Sequence, residues 1–206
     1  LKAAAMAEPC AIVAHQLLER TGVRPGDYVA VMGMGAIALI AAQMAKAAGA
    51  SRVVMCGCES DVGVRLAAAE RLGCCDRFIH VQKEDAAAVI YDETGNIGAD
   101  VVVEASGAEA AIGNAILSAR KTGRICAIGL TAKEKVSIPW NVAMQKVLDI
   151  QFNMSSSYNG WCMALKMLES GVLSVEELIR VMKLEEWESA FSKLERGEAI
   201  KILLEC

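Results

Sequence analysis

Apolar positions along this chain keep two different periods. From Arg24 onward, short runs of β-branched and aliphatic residues alternate with longer alanine-rich stretches whose apolar positions recur at helical spacing. The runs predict strands over Tyr28–Met32, Arg52–Cys56, Arg77–Val81, Val101–Glu104 and Arg124–Ile128. Between them, helices are predicted over Ala36–Ala48, Val62–Leu72, Ala86–Tyr91 and Ala108–Ala119. Such alternation makes βαβ units, and right-handed crossovers then place helices on both faces of a parallel sheet.

The flanks keep other rhythms. Glu8 to Arg20 reads as an amphipathic helix, with Pro9 in its first turn, a stripe of Ile12, Val13, Leu17 and Leu18, and Thr21-Gly22 as its stop. After Leu130, Pro139 interrupts a loop, Trp140–Val147 reads as helix, and Asp149–Met154 reads as a sixth strand with Ser155-Ser156-Ser157 as its turn. The tail holds helices that include Trp161–Glu169 and Leu184–Arg196, then an apolar strand over Ala199–Leu204 without a partner among the predicted elements. The fold class expected is therefore α/β, a doubly wound parallel Rossmann sheet of about six strands. Its parts are a connecting helix (residues 1–23), a dinucleotide-binding domain (24–157) and a helical C-terminal segment (158–206).

Composition narrows the function classes. With 206 residues, 54% of them hydrophobic and only 4% aromatic, the chain suits buried parallel strands under tightly packed helices, and not a disordered segment. A net charge of −4 without a basic stripe argues against nucleic acid or an anionic membrane as partner. The longest apolar run, Ala36 to Ala48, is broken by Gln43 and Lys46 and falls short of the roughly 20 residues that span a bilayer. No signal-peptide pattern opens the chain. The eight cysteines lie mostly in apolar stretches without C-x-x-C spacing, so they are expected to be reduced thiols of a cytoplasmic protein, not a zinc site.

The strongest motif is Gly33-Met-Gly35-Ala36-Ile37-Ala38, reached directly from a strand and opening a helix. Gly33 permits the tight turn, Gly35 lets backbone approach a pyrophosphate, and the helix start at Ala36 and Ile37 offers unpaired N–H groups with partial positive charge. An isolated Gly-x-Gly more often just punctuates a turn, but here the surrounding βα units supply the context. The second strand runs into Gly57 where an acid for the adenosine ribose is expected about 20 residues on. Glu59 is the candidate substitute, with an ordinary surface position as its alternative; its charge favours NAD over NADP, while Arg65 would favour a 2′-phosphate. Ser106 with Gly107, and Ile128 with Gly129, end the fourth and fifth strands, along the edge where open α/β sheets bind ligands. Each of these is equally readable as a turn residue. His15 and His80 read as packing residues with a local hydrogen bond.

These residues resemble the later part of a zinc-containing medium-chain dehydrogenase/reductase, nearest its sorbitol, polyol and threonine dehydrogenase branch. The resemblance covers nearly the whole chain. It rests on Ala7-Glu8-Pro9 followed by His15, Gly26-Asp-Tyr-Val leading into Gly33-Met-Gly35-Ala-Ile, Glu104-Ala-Ser-Gly-Ala-Glu, Gly123-Arg-Ile-Cys-Ala-Ile-Gly129 and Leu184-Glu-Glu-Trp-Glu-Ser-Ala-Phe. Gly57, and Ile179 to Lys183, depart from the family's pattern.

The resemblance implies an NAD(P)-dependent alcohol or polyol dehydrogenase with zinc in the full-length protein, this chain supplying the cofactor half and turning over no alcohol by itself. It implies a preceding catalytic domain that carries the zinc ligands, and a last strand that pairs there. It implies that Glu8 lies near that zinc and that Asn153, Met154 and Ser155 meet the nicotinamide end. A homodimer or homotetramer is implied as well. The rival readings are a zinc-free quinone or enoyl reductase of the same superfamily, and a nucleotide-binding module without chemistry.

Overall fold

The computed structural model describes residues 2–152 and 154–206. Helix α1 (Ala7–Val13) runs on through π-type turns over Ala14–Thr21 and stops at Gly22, whose φ of 73° ends the helix in a left-handed conformation. The strands are β1 (Tyr28–Met32), β2 (Arg52–Gly57), β3 (Arg77–His80), β4 (Ala99–Glu104), β5 (Ala119–Ala127) and β6 (Asp149–Phe152). Between them lie α2 (Ala36–Ala47), α3 (Val64–Arg71), α4 (Ala86–Glu93), α5 (Glu109–Ser118) and α6 (Trp140–Lys146). All strand pairs are parallel, in the order β3-β2-β1-β4-β5-β6. The expected doubly wound sheet is therefore present.

Burial explains why the central strands read as unbroken apolar runs. Every residue of β1 is buried, because both faces of the sheet are covered. Val29 and Val31 join Val53, Met55, Val101 and Val103 in a core under α2 and the N-terminal helix. Ala30 and Met32 face the other way, joining Val54, Ile79 and Val102 in a core under α4 and α5. At the sheet's other end, Arg124 pairs with Asp27 at 2.7 Å, both side chains about 10% exposed or less, and also donates to the Gly22 carbonyl.

The flanking segments share the first of these cores. Helix α7 (Tyr158–Glu169) crosses α1 so closely at Gly160 that a Cβ there would lie 2.7 Å from the Ala11 carbonyl oxygen. The final strand β8 (Lys201–Glu205) has a partner within the chain. It pairs in parallel with β7 (Ile179–Lys183), an element the sequence pattern did not predict, with α8 (Trp187–Glu195) as the crossover. Charges at Arg180 and Lys183 break the apolar run of β7, most of whose residues are only partly buried or exposed. No described helix is long and apolar enough to cross a membrane.

Candidate functional site

The strand order reverses between β1 and β4, and a crevice opens there at the carboxyl ends of the strands. The turn from β1 into α2 forms its floor. Gly33 donates its N–H to the Cys56 carbonyl at 2.8 Å and has φ +114°, a conformation open to glycine but strained for other residues. A Cβ on Gly33 would press within 3.3 Å of Ser106 Cβ. Gly35, in contrast, faces open space, with nothing within 4 Å of where its Cβ would be. No side chain caps α2, so the first-turn N–H groups, including those of Ala36 and Ile37, lack a side-chain acceptor beside that space. An open backbone cradle next to an uncapped helix N-terminus fits a pyrophosphate.

The wall beyond β2 is built differently from the sequence expectation. Gly57 ends β2 in a position where a side chain would crowd three neighbouring side chains. A Cβ there would lie 2.7 Å from Met34 Cγ, 2.9 Å from Phe78 Cε2 and 2.9 Å from Asp61 Oδ2. Asp61 is buried, at 5% exposure, and folds back over the strand end. Its Oδ2 accepts from the Cys58 N–H at 2.9 Å, and its Oδ1 from Arg65 Nη1 at 2.6 Å. Glu59 points away to the surface, where its carboxylate meets Lys83 Nζ at 2.9 Å and His80 Nε2 at 3.0 Å. Those two partners, Lys83 foremost, hold the Glu59 carboxyl below the usual carboxylate range. His80 thus has the local hydrogen bond expected of it, and so has His15, whose Nδ1 lies 2.6 Å from Glu19.

A cavity of about 180 Å³ brings Gly33, Gly57 and Ser106 together, adding Asp61, Val81 and Asn114, which sequence reasoning missed. A second cavity of about 140 Å³ collects Ile128 and Gly129 with Leu130 and Phe152. Gly107 and Gly129 touch each other between these spaces. A Cβ on Gly107 would collide with the Leu130 carbonyl, and one on Gly129 with the Gly107 amide, so protein backbone already fills the room that their small size creates.

Glu104 organises this crossing. At 2% exposure it ends β4, and its Oε1 accepts from Ser106 N at 2.9 Å, Ser106 Oγ at 2.7 Å and Gly107 N at 3.0 Å. Its carbonyl accepts from the amides of both Ile128 and Gly129 at 2.9 Å. The available signal was a lone acid closing the apolar run Val101–Val103 before small residues.

Of the remaining candidates, Ser155 and Glu8 line neither cavity. Ser155 is exposed with φ +64°, its carbonyl oxygen 3.4 Å from Gln16 Nε2, and Asn153 lies outside the described residues. Glu8 is an exposed carboxylate in the first turn of α1. Among the described residues no group of three or more His, Cys, Asp or Glu side chains could hold a metal ion.

Comparison with known proteins adds a family frame. The profile described as zinc-binding dehydrogenase matches residues 36–170. The D-arabitol-phosphate dehydrogenase of Enterococcus avium is 34% identical over 203 residues, covering 98% of this chain and 57% of the relative. The sorbitol dehydrogenase of Halalkalibacterium halodurans is also 34% identical, over 98% of this chain and 58% of its own length. The structure of alcohol dehydrogenase TADH from Thermus sp. ATN1 superposes with a TM-score of 0.89 at 29% identity, covering 98% of this chain and 59% of that one. The chain thus spans a little over half the length of the relatives it matches.

Proposed function

Because the chain belongs to the zinc-binding dehydrogenase family, we propose that it is the nucleotide-binding part of an NAD(P)-dependent alcohol or polyol dehydrogenase. The observation that carries this is the open cradle at Gly33 and Gly35 beside the uncapped N-terminus of α2, placed at the reversal of strand order. When bound, the nicotinamide exchanges a hydride with the carbon that bears the substrate's hydroxyl. The residues of this chain bind and orient the dinucleotide. The amides of Gly35, Ala36 and Ile37 take the pyrophosphate, the 180 Å³ cavity with Gly57 and Ser106 takes the adenosine end, and Ile128 and Gly129 flank the nicotinamide end, where the family resemblance adds Asn153 and Ser155. NAD is the preferred cofactor, since acidic groups surround the end of β2.

The substrate is a small alcohol or polyol, by analogy with the relatives' names. Zinc in the whole protein is held by residues outside this chain, with Glu8 approaching it. The edge strand β6, with exposed Phe152, Met154 and Trp140 nearby, serves as a subunit contact in a cytoplasmic dimer or tetramer.

The test is a fluorescence titration of the chain with NADH and with NADPH, read through its tryptophans, alongside an alcohol-oxidation assay. Saturable nucleotide binding without turnover of alcohol is expected. Absence of binding by either nucleotide, or zinc-dependent oxidation by this chain alone, overturns the proposal.

A further inference from the structure

We propose that Asp61, and not Glu59, is the carboxylate that reads the adenosine ribose and sets the preference for NAD(H) over NADP(H). This assignment rests on the nucleotide-binding reading above. Dinucleotide-binding sheets place an acid at the end of β2, where it accepts the ribose hydroxyls and repels a 2′-phosphate. Here that position is Gly57, where a Cβ would lie 2.7 Å from Met34 Cγ and 2.9 Å from Phe78 Cε2, so that any side chain would displace its neighbours. Within 2.9 Å of the point from which such a side chain would start lies Asp61 Oδ2. A carboxylate thus reaches the strand end from four residues downstream.

The local backbone explains how. Residues Glu59–Asp61 form a single 3-10 turn in which the Asp61 N–H donates to the Cys58 carbonyl at 3.0 Å, while Asp61 Oδ2 accepts the Cys58 N–H. That reciprocal cap turns Asp61 inward and leaves Glu59 outside. Asp61 is buried yet lines the cavity that holds Gly33 and Ser106, whereas Glu59 lines neither cavity described above and is engaged by Lys83 and His80.

Arg65 completes the device. From the first turn of α3, its Nη1 donates to Asp61 Oδ1 at 2.6 Å, and its buried Nε has no hydrogen-bond partner among the described residues. The pair occupies the cation that would otherwise meet a 2′-phosphate. Removing the carboxylate charge at Asp61 frees that guanidinium, so the substitution acts on the two nucleotides in opposite directions.

The experiment titrates wild type, Asp61→Asn, Arg65→Gln and Glu59→Gln with NADH and NADPH, with thermal unfolding of each variant as a folding check. Wild type is expected to bind NADH more tightly. Asp61→Asn should lose about ten- to hundredfold in NADH affinity, the effect of one charge-assisted hydrogen bond, while NADPH affinity holds or rises. Arg65→Gln breaks the same ion pair but keeps the carboxylate, and Glu59→Gln touches only the outer acid, so both should hold NADH within about threefold. Equal losses in Asp61→Asn and Arg65→Gln indicate a merely structural ion pair and overturn the assignment, as does a Glu59→Gln loss matching that of Asp61→Asn. A wild type that favours NADPH overturns it while leaving the nucleotide-binding reading intact. Binding of neither nucleotide to wild type brings down both.

Discussion

Replacing Glu104 tests whether one buried carboxyl group sets the edge of the cleft. Three donors converge on its Oε1, from Ser106 N, Ser106 Oγ and Gly107 N, at 2.7 to 3.0 Å. Glu104→Leu removes every side-chain acceptor and leaves the Gly107 amide buried and unpaired, since Gly107 packs under Leu130. An unsatisfied buried amide costs about 1–3 kcal/mol, and the other lost hydrogen bonds add to it, so about 3 kcal/mol is expected, net of the gain from the apolar side chain. Glu104→Gln can set its single oxygen at the Oε1 position and keep all three donors, which holds its cost to about 1 kcal/mol. Near 200 residues, 1 kcal/mol moves the midpoint by about 2–4 °C, so thermal unfolding followed by circular dichroism should show a drop of about 6–12 °C for Leu and under about 4 °C for Gln. Because Ser106 sits in the first cavity, the Leu variant should also weaken nucleotide binding. A Leu variant as stable as wild type, or a Gln variant as damaged as Leu, refutes the reasoning.

Two further perturbations probe other parts of the molecule. Burial tends to raise the carboxyl pKa of Glu93, but donors from Arg52, Arg77 and the Tyr28 hydroxyl outweigh it, lowering it from an ordinary 4.5 to about 2. A depressed folded-state pKa contributes stability above the unfolded value and loses it as pH falls through the folded one. Glu93→Gln should therefore cost about 1–2 kcal/mol at pH 7, a figure discounted because both arginines are more than a third exposed, and denaturant titrations of the two proteins should converge between about pH 4.5 and 2. An offset that persists at pH 2 would contradict the cluster. The eight cysteines are free, and burial pushes the thiols of Cys10, Cys56, Cys74 and Cys126 up to about 12. At pH 8 a thiol reagent should label exposed Cys206 quickly, Cys58 and Cys162 more slowly, and those four only on unfolding, a pattern that mass spectrometry resolves site by site.

Much of this molecule was readable from its sequence, for a physical reason. Strands buried on both faces must be apolar throughout, and helices covering them must carry an apolar stripe, so β1, β2 and β4 and the helices that cover them announce themselves locally. Gly33 was legible too, because a strand-to-helix turn with positive φ leaves few residues to choose from. The tertiary structure alone decided three other matters. Gly57 is crowded by Met34 and Phe78, which arrive from separate elements. Asp61 takes the strand end and Glu59 the surface, although both acids stand in one short turn, because Arg65 draws one inward while Lys83 and His80 draw the other out. Strand β8 finds β7 because α8 brings them side by side, and β7, broken by charges, carries no apolar run to mark it. Period and composition record how deeply a residue is buried; which neighbour meets it there depends on contacts between distant segments, and no local pattern encodes those.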